Sequence, residues 1–211
     1  MKRLSFALFA LTIVAGTGPV AEAQAPPTVA SPVPSSPVAS QPMAYRYGGI
    51  SGLYTMAQGD FGDIAGDGWG ILITGEQFVN PSHMIAITSD VGYLDFGSKT
   101  KNGVKTDFSM FPVQAGLRIY PMMEKKPDSK MQLFGEGGLG FFYTRSEVET
   151  VVGATSNYDY YFGTQAGGGV RFMANPKLTL LVDATWNWVF ATGTDPNYLA
   201  LRGALMIPIV R

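Results

Sequence analysis

From Tyr45 to the C-terminus, apolar and polar residues alternate along this chain in segments of similar length, each stopped by a turn signal. About eight such segments can be read: 46–57, 68–78, 83–95, 105–120, 131–145, 158–173, 178–190 and 198–209. Neighbouring side chains on a strand point to opposite faces, so a period of two predicts strands with two unlike walls. No sustained helical period separates them. Repeated strands without intervening helices predict an all-β fold, an eight-stranded antiparallel up-and-down barrel.

The connections fall into two alternating sets. Asn80-Pro81-Ser82, Met122 to Lys130 and Asn175-Pro176-Lys177 are tight or charged. Gln58 to Asp67, Gly97 to Val104, Glu147 to Asn157 and Ala191 to Asn197 are rich in Gly, Asp and Thr, and read as loops. In an up-and-down order each set gathers at one end, short turns opposite longer loops, as in transmembrane barrels.

The two walls are clearest near the C-terminus. In 178–190 one wall is Leu178, Leu180, Val182, Ala184, Trp186, Trp188 and Phe190, and the other is Thr179, Leu181, Asp183, Thr185, Asn187 and Val189. In 198–209 a wall of Leu and Ile opposes Arg202. Earlier segments split similarly: Phe162, Val170 and Phe172 against Gln165 and Arg171; Leu139, Phe141 and Tyr143 against Glu136; Val113, Leu117 and Ile119 against Gln114 and Arg118; Ile85, Ile87 and Tyr93 against Asp90; Trp69, Ile71 and Ile73 against Glu76. The first segment, rich in Gly and Tyr, does not resolve its walls.

Two features predict that the apolar wall faces outward, into lipid. Lys is confined to turns, loops and strand starts, whereas strand surfaces in water use it freely. Rows such as Trp186, Trp188 and Phe190 are also too bulky for the interior of a small barrel, which side chains already fill. The polar wall then turns inward. Its candidate charge network is Glu76, Asp90, Arg118, Glu136, Arg171, Asp183 and Arg202, four acids and three arginines, which burial would force into pairs. Such a network reads either as a structural plug or as a narrow gated pore. Trp69, Tyr93, Tyr143, Phe162, Trp186, Trp188 and Phe190 form the candidate lipid-facing aromatic girdle, mostly near the loop end, where rings prefer headgroup level.

Composition agrees with a membrane wall: charged residues are 15% of the chain, below the roughly 25% of soluble domains. A net charge of -1 argues against a nucleic-acid partner. Lys2 and Arg3, the apolar run Leu4 to Ala15 and the small-x-small triplet Ala21-Glu22-Ala23 predict a cleaved signal peptide over 1–23 and hence export. The Pro-dense, uncharged stretch 24–44 reads as an extended linker, leaving 45–211 for the barrel. No later stretch is long and apolar enough for a spanning helix.

Candidate chemistry is sparse. With no Cys and a single His, neither a metal site nor a cofactor is predicted. His83 follows Ser82, but strand neighbours diverge, so a Ser–His hydrolytic pair is not formed by them alone. Asp60, Asp63 and Asp67 lack the spacing of a Ca²⁺ loop, and an exposed Gly-rich loop is expected there.

The stretches VQAGLRIYP (113–121), FGEGGLGFFY (134–143), FGTQAGGGVRF (162–172) and NPKLTLLVDATW (175–186), with an apolar final strand, resemble the outer-membrane β-barrel group that includes OmpA-like transmembrane domains, OmpX-like proteins and opacity-type porins. The resemblance covers the chain after the linker. It implies a Gram-negative outer membrane, insertion by the barrel-assembly machinery, contact with membrane lipids and lipopolysaccharide, and a monomer. The function expected is a non-enzymatic role in envelope integrity or interaction, or a narrow porin. The alternatives are a lipid-A-modifying barrel enzyme and a secreted soluble barrel binding an apolar ligand.

Overall fold

The computed structural model describes residues 46–125, 129–150 and 153–209. The expected signal peptide and linker lie outside the described residues. Eight strands form a closed barrel in sequence order: β1 (Arg46–Ala57), β2 (Gly68–Phe78), β3 (Ile85–Lys101), β4 (Val104–Ile119), β5 (Met131–Thr150), β6 (Gly153–Asn175), β7 (Leu178–Phe190) and β8 (Tyr198–Pro208). Every neighbouring pair is antiparallel, and β8 returns to β1 with Gly48 opposite Ile207 and Leu53 opposite Arg202. Closure leaves no sheet edge through the body of the wall, so the backbone groups there are satisfied by neighbouring strands. Both described ends of the chain lie at the turn end, where Ile209 N–H donates to the Arg46 carbonyl.

Two connections expected to be loops are strands. Gly97 to Val104 is mostly the end of β3, joined to β4 by the two-residue turn Asn102-Gly103. Both residues have positive φ, +54° and +79°, the type I′ geometry that Asn-Gly supplies. Likewise Glu147 to Thr150 belongs to β5 and Gly153 to Asn157 to β6, and the two pair up to Thr150 opposite Gly153. These segments are polar on both faces and show no amphipathic period, yet the ladder continues through them because the register below dictates it. The β2–β3 ladder ends at Trp69 opposite Asp95, and the β6–β7 ladder begins at Phe162 opposite Phe190. Beyond those pairs β3 to β6 continue alone as a four-stranded sheet.

The Gln58 to Asp67 connection is not simply exposed either. It carries a four-residue helix, α1 (Phe61–Ile64), whose Phe61 is buried together with Ala65. Phe61 packs edge-on against Phe96 and Phe108, with ring centroids 5.1 and 4.8 Å apart. An apolar side chain at a barrel mouth is better satisfied by an interior of rings than by water, and this outweighs the loop's polar composition.

The wall orientation is unambiguous. Ile73 is 71% and Val182 65% exposed on the outside, while Asp183 and Arg202 retain only 4% and 6%. The first strand also resolves: Tyr47, Ser51, Leu53 and Thr55 face in, Ile50 and Tyr54 out. The interior departs from a purely polar wall. Bulky side chains do enter it, in two layers. Phe61, Leu94, Phe96, Phe108, Met110 and Phe142 fill the loop end; Tyr47, Phe78, Tyr120, Phe134, Leu181 and Met206 fill the turn end.

Candidate functional site: the charged interior

Register brings the inward charges together. Arg118 on β4 lies directly opposite Glu136 on β5, and Asp183 on β7 opposite Arg202 on β8. The remaining contacts cross the lumen, where no sequence spacing could have assigned them. Arg118 donates from Nη2 to Glu136 at 2.6 Å and from Nη1 to Glu76 at 3.3 Å. Arg171 reaches the other oxygen of Glu76 at 3.2 Å. Arg202 contacts three acids: Asp183 at 2.9 Å, Asp90 at 3.0 Å and the second oxygen of Glu136 at 2.7 Å. All seven candidate charges therefore form one connected chain, from Arg171 through Glu76, Arg118 and Glu136 to Arg202, Asp90 and Asp183.

Four carboxylates face three guanidinium groups, and two of the acids also accept from hydroxyl donors. Thr74 donates to Asp90 at 2.7 Å and Tyr120 to Glu76. Above them Gln114 donates to Asn187 at 3.1 Å. Towards the turn end the cations also meet rings. The Arg171 guanidinium carbon lies 4.3 Å from the Tyr47 ring centre and 5.0 Å from that of Phe78, and Arg118 lies 4.4 Å from Phe134. Guanidinium groups pair well with carboxylates and stack on rings, which suits a dry interior better than ammonium groups would. Every partner has already lost water on folding, so removing one member leaves its direct partners short of a hydrogen-bonding group that water does not replace.

Beside Arg202 the lumen keeps a void of about 10 Å³, lined by Leu72, Pro112 and Gln165 among others. That is room for roughly one water.

The family described as Outer membrane protein beta-barrel domain matches residues 13–202. This chain belongs to that family. It is a bacterial outer-membrane protein, and its outer wall is the surface that meets the bilayer. No curated protein sequence matches it. Among solved structures it is similar to Neisserial surface protein A, at 15% identity and a TM-score of 0.56, covering 79% of this chain and 98% of that one. A major outer membrane protein from Thermus thermophilus aligns at 11% identity and 0.54, covering 77% and 98%. The attachment invasion locus protein of Yersinia pestis aligns at 13% and 0.51, covering 78% and 96%. At these identities the likeness is one of fold.

Trp69, Tyr93, Tyr143, Phe162, Trp186, Trp188 and Phe190 all point outward on this barrel. The predicted girdle misses other outward rings, including Tyr54, Phe111, Tyr158 and Tyr160. Phe141, read as outward from its wall, joins the row: it lies 5.6 Å from Phe162, which stacks in turn on Phe190 at 6.3 Å. Inside, the predicted network misses Tyr120, although it shares the parity of Arg118 two residues before it. His83 occupies a turn with φ +54°, its ring edge-on to Phe78 at 5.0 Å. The Ser82 hydroxyl accepts instead from Asn80. The geometry thus gives no support to a Ser–His enzyme, and the family gives none to a secreted soluble barrel.

Proposed function

We propose that this protein is a sealed, non-catalytic barrel that supports the outer membrane and makes its contacts from the loop end, without conducting solutes. The observation that carries this reading is the filled interior: ring layers at both ends, a connected ionic layer between, and a void of about 10 Å³. A conducting path needs continuous water, and an eight-stranded wall leaves only enough room for its own side chains. The narrow-porin reading requires Arg202 to release three carboxylates together and Phe61 to leave the mouth.

In this reading the outward rings near the loop end sit at headgroup level, with lipid and lipopolysaccharide around the wall. Insertion depends on the barrel-assembly machinery, and the protein works as a monomer. The sheet continued by β3 to β6 carries Tyr143, Tyr158 and Tyr160 as a cluster, with centroids 4.9 to 5.9 Å apart. Exposed tyrosines offer large contact area at little entropic cost, which suits an interaction surface.

Planar-bilayer recording of the refolded protein tests the proposal. Wild type is expected to stay silent, and Phe61→Ala to stay silent as well, because the ionic layer still blocks the path. Steady unitary conductance from wild type, altered by Arg118→Ala or Arg171→Ala, would overturn it.

A further inference from the structure

Outside the lumen, a cleft of about 390 Å³ opens where the connection after β1 meets the connection before β8. Trp186 flanks it, half-buried, with Gln58, Asp60, Asp195 and Asn197 around it and Gly59 and Gly193 in its lining. The geometry points to a binding site for the pyranose ring of an uncharged saccharide. The site is independent of whether the lumen conducts.

The cleft is built rather than incidental. Gln58 N–H donates to the Asn197 carbonyl at 3.0 Å, tying the two connections together. Asn197 and Asp195 hold the second one in place through their side chains: Val189 N–H donates to Asn197 Oδ1 at 3.0 Å and Ala191 N–H to Asp195 Oδ1 at 2.9 Å. Both glycines have positive φ, +58° and +115°, and a Cβ on either would meet nothing within 4 Å. The shape is therefore set by backbone bonds before any ligand arrives, which lowers the ordering cost of binding.

The lining selects the ligand class. A pyranose has a C–H face that packs on an aromatic ring and hydroxyls at its edge that both donate and accept. The cleft supplies an indole, two carboxylates, and two amides each already engaged at one end: Gln58 Nε2 donates to the Met56 carbonyl, which leaves its oxygen to accept, and Asn197 Oδ1 accepts from Val189, which leaves its Nδ2 to donate. Among the described residues, no basic side chain lines it. The nearby Lys99 and Lys101 are directed to α1, to the Gly62 carbonyl and the Asp63 carboxylate. Sulfated or phosphorylated sugars would thus meet Asp60 and Asp195 with no cation to offset the repulsion. The volume lies at the small end of the roughly 300–1,000 Å³ of small-molecule sites, so the saccharide is short. The cleft's place at the loop end gives it access both to free saccharides and to the headgroups of glycolipids.

The test follows the amide signals of Gly59 and Gly193 by NMR, with the protein folded in a detergent that carries no sugar. Free maltose is titrated in one arm and an alkyl maltoside in the other, to separate a soluble saccharide from a glycolipid headgroup. A saturable shift in either arm is expected. Affinity should fall about tenfold in Trp186→Leu, which loses the ring platform, and several-fold in Asp60→Asn, whose exposed position leaves folding intact. Retarded migration of samples after heating, relative to unheated ones, checks that each variant is folded. The inference fails if neither arm gives a saturable shift, if both variants bind as tightly as wild type, or if a sulfated disaccharide binds as well as maltose.

Discussion

At the scale of single residues, Glu136 is the hinge of the charge network, because its two oxygens join Arg118 and Arg202, at 2.6 and 2.7 Å. Glu136→Ala takes one acceptor from each guanidinium group, Arg118 keeping Glu76 and Arg202 keeping Asp90 and Asp183, and should cost about 1–3 kcal/mol in reversible urea unfolding from lipid vesicles. Glu136→Gln should cost less, since it keeps an acceptor. Gly169 matters through closeness rather than flexibility: a Cβ there would lie 2.2 Å from the Val182 carbonyl and 2.5 Å from the Asp183 Cβ. Gly169→Ala therefore pushes β6 off β7 and is expected to destabilise by about 1–3 kcal/mol in the same assay. On α1 the hydrogen bond from Lys101, then its charge, holds the Asp63 carboxyl below its usual 3.8. A lowered folded value means that this tether is intact at neutral pH and fails only as pH drops through the lowered value. In an NMR titration, Lys101→Ala should return Asp63 towards 3.8.

At the scale of elements, the amphipathic pattern locates all eight strands, because one wall meets lipid and the other a polar interior. It fails where that contrast ends. The outer parts of β3 to β6 have water on both sides, so their residues carry no alternation, and they read as loops. Asn102-Gly103 is a legible signal of a tight hairpin that the polar surroundings conceal. Gly103→Val should fray the end of that hairpin, seen as faster hydrogen exchange from Ser98 to Asp107 with the wall below Asp95 unchanged, because φ of +79° disfavours a β-branched residue. The α1 segment misleads for the opposite reason: two buried apolar residues, Phe61 and Ala65, among glycines and aspartates decide where the loop goes.

At the scale of the whole molecule, closing the wall and filling the lumen are separate properties. The ladder from β1 round to β8 closes the wall. The ring layers and the ionic layer, contributed by all the strands, fill the lumen. The closed barrel should migrate faster before boiling than after it on a gel in dodecyl sulfate, and Glu136→Ala should lower the temperature of that change. No difference between boiled and unboiled wild type would contradict a closed barrel. The candidate charges can be named from alternation and scarcity, since a charge on a strand with one lipid wall has only the interior to occupy. Their pairing cannot, because Arg171 meets Glu76 across 95 residues of sequence and Arg202 meets Asp90 across 112.

What the amino-acid order determined alone is the class of fold, the number of strands and which wall is charged. Those follow from local periodicity and from the cost of placing charge in lipid. The tertiary structure decided the rest: which acid meets which arginine, that rings close both ends, that four strands outrun the others, and that two connections meet beside Trp186. Each of these depends on stagger between strands and on distances across a closed cylinder, quantities that no spacing along the chain encodes.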